Sequence, residues 1–319
     1  MASDTDATTA GSAPAGRPKA RFGPVLTAMV TPFNSDGSLD LDGARKLARY
    51  LIDNGNDGLV VAGTTGESPT ITFEEQRDLI VAVREAVPDV PLVAGAGSNS
   101  TATAVKNTVM ATEAGADCIL AVCPYYNRPS PEGLYQHFSA SAAATDLPVM
   151  VYDVPGRTGR KIETETIARL AEDVDNVVAL KDAAGNPGET ARLISMVDES
   201  FEVYSGDDGL TLPLLSVGAV GVVGVVTHYV GKLMADMIAA FNGGDVARAA
   251  AINRAMMAAY AHFAYPDAPS PVPTKSMMNT LGVGVGDCRL PMGPAPADID
   301  ARSRSVLKAL GRLDQAVSS

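Results

Sequence analysis

The chain is expected to form a (β/α)8 barrel followed by additional C-terminal helices, and three features of its sequence lead to that fold. From about residue 25, short β-rich runs alternate with longer amphipathic stretches. The β-rich runs are continuously apolar, as in Val177-Val178-Ala179-Leu180, which marks parallel strands covered on both faces. Eight such runs recur at intervals of roughly 20–35 residues, which fits a barrel whose usual size is about 250 residues.

The expected strands are Leu26–Val30, Gly58–Ala62, Pro91–Ala94, Cys118–Val122, Pro148–Tyr152, Val177–Lys181, Phe201–Ser205 and Ala219–Val223. Between them, apolar residues spaced by three and four predict helices over Leu41–Asn54, Phe73–Val87, Thr101–Ala114, Pro131–Ala144, Thr164–Ala171 and Pro187–Val197. Ser130 before Pro131 is a helix-start signal. The competing fold, an open doubly wound sheet, calls for a glycine-rich turn after the first strand, and Met29-Val30-Thr31-Pro32 is not one. Beyond residue 230 the sequence is helical and rich in Ala and Met, with helices expected over Asp245–Ala264, Thr274–Leu281 and Asp298–Leu313. The expected organisation is therefore a disordered tail at 1–22, a barrel at 23–230 and a helical extension at 231–315 packed on the barrel.

A net charge of −12 disfavours nucleic acid and anionic membrane as partners. No stretch reaches the roughly 18 apolar residues that a membrane helix requires. Three cysteines without a CxxC pair fit a reducing, cytoplasmic setting. The first twenty residues lack the apolar core of a signal peptide.

In a parallel barrel the C-terminal ends of all strands share one face, where catalytic groups collect. The unusual residues fall there: Gly63-Thr64-Thr65-Gly66-Glu67-Ser68, Pro124-Tyr125-Tyr126-Asn127, Tyr152 to Arg157, Lys181-Asp182 and Gly206-Asp207-Asp208. Lys181 ends an apolar strand, where desolvation would lower its pKa and free an amine nucleophile. Taken alone it reads as a lysine snorkelling to solvent, and its neighbours change that reading. Tyr152, one strand away, could carry protons. Thr64 and Thr65 offer hydroxyls between glycines, and Arg157 could clamp a carboxylate.

Asp207-Asp208 resembles a metal pair but is better explained as helix capping. The three histidines lack metal-ligand spacing, so neither a metal nor another cofactor is expected. Gly95 to Ser100 is a near miss to a dinucleotide fingerprint and follows the wrong strand.

Taken together and in order, GTTGES (Gly63–Ser68), PYYNRPS (Pro124–Ser130), YDVPGRTG (Tyr152–Gly159), the Leu180–Asp182 lysine segment and SGDD (Ser205–Asp208) resemble the dihydrodipicolinate synthase family, also called the 4-hydroxy-tetrahydrodipicolinate synthases. The similarity runs from about residue 23 to residue 313. It implies condensation of pyruvate with L-aspartate 4-semialdehyde in lysine and diaminopimelate synthesis. By this resemblance Lys181 forms the Schiff base, and Tyr152, Thr64 and Tyr126 relay protons, with Tyr126 donated across a dimer interface. Thr65, Gly206 and Val223 line the pyruvate pocket, and Arg157 holds the semialdehyde carboxylate. A homotetramer built from two tight dimers is the implied assembly.

Related pyruvate aldolases acting on sugar acids or hydroxy-oxoglutarate share the lysine and tyrosine; Arg157 and the double threonine favour the synthase. A non-catalytic binding barrel is the rival from another class. Lysine-inhibited members carry histidines and a glutamate where this chain has Phe73, Gln76 and Thr103, while Ser68, Asn99 and Tyr125 match. Weak or absent lysine feedback is expected.

Overall fold

The structure, a computed structural model, describes residues 20–311. Eight strands form its centre: β1 (Val25–Ala28), β2 (Gly58–Val61), β3 (Leu92–Gly95), β4 (Cys118–Val122), β5 (Val149–Asp153), β6 (Val177–Asp182), β7 (Glu202–Ser205) and β8 (Gly221–Gly224). Neighbours in sequence pair in parallel, and β8 pairs with β1 to close a barrel. Closure rules out the open sheet.

The strands are largely apolar because each serves two cores; the polar exceptions, such as Glu202 and Ser205 on β7 and Lys181 and Asp182 on β6, are buried. On β5, Met150 and Tyr152 join an interior cluster with Leu26, Val60, Val93, Ala179 and Val223. The intervening Val149 and Val151 face outward into the larger layer between strands and helices, beside Leu170 and Leu193. Side chains alternate across a strand, so a strand covered on both sides is apolar on both of its faces at most positions. Each fully buried Val or Leu contributes about 1.5–3 kcal/mol.

Helix starts follow local chemistry. The Thr72 hydroxyl accepts from Glu75 N while a Glu75 carboxylate oxygen accepts from Thr72 N, a reciprocal cap on the helix Phe73–Ala86. Ser130 caps Pro131–Ala142 through Gly133 N, with proline at the first helical position. Gly97 has a steric reason to be glycine, because a Cβ there would lie 2.5 Å from Val122 N. That close approach of β4 to the turn after β3 accounts for the near-fingerprint at Gly95 to Ser100 without a nucleotide.

The helix Thr227–Asn242 covers β1. It spans the expected boundary at residue 230, where Val230 carries non-helical angles and kinks it. The helices beyond it are Val246–Ala255, Met257–Phe263, Val272–Thr280 and Ile299–Ala309. The single helix expected over Asp245–Ala264 is thus two, meeting at the fully buried Met256. A chain of polar contacts running from buried His262 through Ser303 and Ser276 to exposed Asp300 ties the last three together.

Of the expected tail, residues 1–19 lie outside the described residues. Phe22 is buried in the barrel interior, and Arg21 N donates to Glu202 Oε1 at 2.8 Å. No helix among the described residues is long and apolar enough to cross a membrane.

Candidate active site

Lys181 and Tyr152 occupy paired positions on β6 and β5. Their side chains turn into the barrel, and the Lys181 Nζ lies 4.2 Å from the centroid of the Tyr152 ring. Lys181 is only 4% exposed. Burial pushes its pKa down to about 8, helped by the positive Arg157 and opposed by the carboxylate of Asp208. Near neutral pH about a tenth of such an amine is free to attack a carbonyl. Tyr152 is buried too, which raises its pKa; Arg157 and the Thr64 side chain pull it back down.

Thr64 belongs to the turn after β2. Glu67 N donates to Thr64 O at 3.1 Å, Ser68 N to Gly63 O at 3.3 Å, and the Thr31 hydroxyl to Gly66 O at 2.6 Å. Thr65 is buried in the same turn. Gly206 follows β7, and a Cβ there would lie 2.9 Å from Ala183 Cβ and 3.0 Å from Lys181 Cγ. Glycine at 206 is therefore what leaves room for the lysine stem. Val223, fully buried on β8, completes the interior wall.

A cleft of about 630 Å³ opens beside these residues, with Thr64, Val154 and Arg157 on its wall. Arg157 is exposed on the short helix Pro155–Thr158, as a carboxylate clamp at a pocket mouth would be. The same cleft is lined by Ser68, Phe73, Gln76, Thr103 and Tyr125. Among the described residues its charged lining groups are the cations Lys106 and Arg157, and no Asp or Glu lines it.

Of the expected site residues, Lys181, Tyr152, Thr64, Thr65, Gly206, Val223 and Arg157 gather at one end of the barrel. Tyr126 does not join them within this chain. It is 91% exposed and adopts φ +76, an uncommon angle for a bulky residue. Its backbone N–H is held by Thr158 O at 3.3 Å.

Three residues escaped sequence reasoning. Asp207 does cap the turn after β7, accepting from Gly209 N and Leu210 N. Asp208, expected to share that task, instead turns inward. It is buried, accepts from Val225 N with both oxygens at 3.1 and 2.9 Å, and faces the Lys181 charge. Burial raises its pKa to about 6, so at neutral pH it remains largely a carboxylate. Lys106 places its Nζ 4.1 Å from the Phe73 ring centroid in the cleft. Glu67, within the Gly63–Ser68 turn, forms a buried ion pair with Lys275. Asp208 carried a usable signal, since two adjacent aspartates cannot both cap one turn. The other two depend on tertiary contacts.

Fold and site together define a (β/α)8 barrel enzyme with a desolvated amine at its catalytic end. The dihydrodipicolinate synthetase family model matches residues 21–310. The 4-hydroxy-tetrahydrodipicolinate synthase of Moorella thermoacetica is 48% identical, over 92% of this chain and 100% of its own length. That of Bacillus subtilis is 48% identical over 87% of this chain and 95% of its own. Among solved structures, dihydrodipicolinate synthase from Bacillus anthracis superposes with a TM-score of 0.87 at 45% identity, covering 90% of this chain and 98% of that one. The enzyme from Cyanidioschyzon merolae, with lysine bound, gives 0.89 at 42%, covering 92% and 99%. The chain belongs to the dihydrodipicolinate synthetase family.

Proposed function

We propose that this chain condenses pyruvate with L-aspartate 4-semialdehyde to 4-hydroxy-tetrahydrodipicolinate through a Schiff base on Lys181, a step of lysine and diaminopimelate synthesis. The observation that carries the proposal is the buried Lys181 amine, lowered to a pKa of about 8 and set over Tyr152.

The neutral Lys181 nitrogen adds to the ketone carbon of pyruvate, and the carbonyl oxygen takes a proton from Tyr152. The new ammonium nitrogen returns a proton to Tyr152, which passes it to the carbinolamine hydroxyl; water leaves and an iminium remains. The Tyr152 phenolate left by that delivery takes a C3 proton, whose bonding electrons flow to the iminium nitrogen, and an enamine forms. C3 of the enamine attacks the aldehyde carbon of the semialdehyde, whose oxygen takes up a proton. The amine of the semialdehyde adds to the regenerated iminium carbon, and Lys181 leaves with its electron pair as the ring closes. One water is released overall. The protonated nitrogen is the electron sink that a Lewis acid supplies elsewhere.

In this scheme Tyr152 carries protons with Thr64 and with Tyr126 of a second copy of the chain. Thr65, Gly206 and Val223 enclose pyruvate, and Arg157 binds the semialdehyde carboxylate in two parallel hydrogen bonds. The exposure and strained φ of Tyr126 support donation to a neighbour, since such strain persists where surroundings or function demand it. A homotetramer of two dimers, acting in the cytoplasm, follows from the same reading. So does an arrangement of one barrel with a helical extension packed on it.

A coupled assay that offers aspartate semialdehyde beside sugar-derived aldehydes tests the acceptor. Turnover with the semialdehyde alone is expected. Preference for a sugar-derived aldehyde would assign the chain to a pyruvate aldolase of another specificity.

A further inference from the structure

The C-terminal segment returns to the catalytic end of the barrel and grips the turn that carries Thr64 and Thr65. Lys275, on the helix Val272–Thr280, places its Nζ 2.8 Å from Glu67 Oε1, with side-chain exposures of 2% and 0%. The same ammonium donates to Asp287 O at 2.9 Å and lies 4.2 Å from the Phe33 ring centroid. The second oxygen of Glu67 accepts from Arg289 N at 2.9 Å. The Arg289 guanidinium is itself fixed, bonded to Glu75 at 2.8 and 2.6 Å, to Thr70 O at 2.7 Å and to Gly37 O at 2.9 Å.

Neither Glu67 nor Lys275 lines the cleft beside Lys181, so neither is placed to touch substrate. Two desolvated charges are also a poor stability device, because apolar side chains of similar volume often serve as well. What the pair does supply is direction. Glu67 adopts φ +58, a left-handed angle that a non-glycine residue keeps only when its surroundings enforce it. Its backbone N–H is bonded to the carbonyl of Thr64 itself. Anchoring the Glu67 carboxylate therefore fixes the backbone that aims the Thr64 hydroxyl at Tyr152.

We propose that Lys275, backed by Arg289, is a positioning residue for the reaction: through Glu67 it holds the Gly63–Ser68 turn in the shape that lets Thr64 serve Tyr152. The inference rests on the proton-relay role given to Thr64 under the proposed function. It assigns the C-terminal extension a task at the catalytic centre, although the two residues of the ion pair lie far apart in sequence.

The test compares Lys275→Met, Glu67→Gln and their double variant with the parent enzyme. Melting temperature, kcat, KM for pyruvate and the pH dependence of kcat are measured on each. The single variants are expected to lose stability and between about tenfold and 100-fold in kcat, the scale of a misplaced catalytic group, with a smaller rise in KM for pyruvate because the same turn carries Thr65. The double variant, free of an unpaired buried charge, is expected to recover its melting temperature but not its kcat. Its basic pH limb should move, since Tyr152 loses the Thr64 side chain that lowers its pKa. Recovery of kcat together with the melting temperature would show a purely structural pair and overturn the proposal. If Lys275→Met does not fold, Lys275→Arg keeps the charge in a different shape, with the same loss expected and parent-level kcat overturning the proposal. Thr64→Val run in parallel separates the two levels. A Thr64→Val enzyme of full kcat would remove the relay and the positioning role together. A slow Thr64→Val beside a fast double variant would remove the positioning role alone.

Discussion

The Lys181 Nζ stands 4.2 Å from the Tyr152 ring centroid, two side chains from adjacent, in-register strands that meet inside the barrel. Their register sets both at the same height, and their burial opposes the charged form of each: the lysine is driven toward the free amine and the tyrosine held as the protonated phenol. In the proposed reaction these are the states that a nucleophile and a proton donor require, and both stand at one place.

The first consequence is a pH profile. The free-amine fraction of Lys181 rises as pH climbs through its pKa of about 8, so the rate of pyruvate imine formation should rise through that range and level off above it. Asp208 favours the ammonium and holds this pKa up. Asp208→Asn should therefore move the midpoint to lower pH. Stopped-flow measurement of imine formation from pH 6 to 10 checks both, and an unmoved midpoint would remove Asp208 from the account.

Lys181 should also cost stability. Its folded pKa lies below the ordinary lysine value of 10.5, so the folded chain binds fewer protons than the unfolded chain between about pH 8 and 10.5. Stability therefore rises with pH across that window, and the penalty is complete below about pH 8. Lys181→Met should be more stable than the parent by about 1–3 kcal/mol at pH 7, with the gain vanishing above the unfolded lysine pKa. Denaturant melts at pH 7 and pH 10.5 measure it, and equal stability at both would contradict the assigned burial penalty.

Gly206→Ala tests packing beneath the Lys181 side chain. Its new methyl would meet Ala183 Cβ at 2.9 Å and Lys181 Cγ at 3.0 Å. Displacing the lysine by a fraction of an ångström or more should lower kcat about tenfold to 100-fold while leaving the melt nearly cooperative. A variant with parent kcat would show that the lysine stem tolerates the shift.

The cleft should not answer to lysine. A diamino acid presents a cationic side chain, whereas the charged groups lining this cleft are Lys106 and Arg157, with Phe73, Gln76 and Thr103 adding no negative charge. Millimolar L-lysine is expected to leave the initial rate within about twofold, since like charges across a site disfavour binding. Substantial inhibition in a standard rate assay would contradict this.

Much of this architecture was legible in the sequence for a physical reason. Strands buried on both faces announce themselves as unbroken apolar runs, and the expected and observed spans agree to within one or two residues, as with Val177–Lys181 against Val177–Asp182. The shared location of the candidate site residues, Tyr126 apart, was legible because parallel strands deliver their C-terminal ends to one face. The helix Thr227–Asn242 was not singled out. Thr227 to Gly231 are all buried, so its first turns show no polar face to give a helical period. Asp208 was misassigned because a capping aspartate and an inward-facing one share the same letter. Glu67, Lys275 and Lys106 act through partners distant in sequence, which no local pattern reports.

The central claim is tested most directly by reducing the protein with borohydride in the presence of pyruvate and mapping the product by peptide mass spectrometry. One pyruvate-derived adduct per chain is expected, on Lys181, with loss of activity in step with labelling and no adduct in Lys181→Met. A folded protein that stays unlabelled, or that carries the adduct on another lysine, would contradict it.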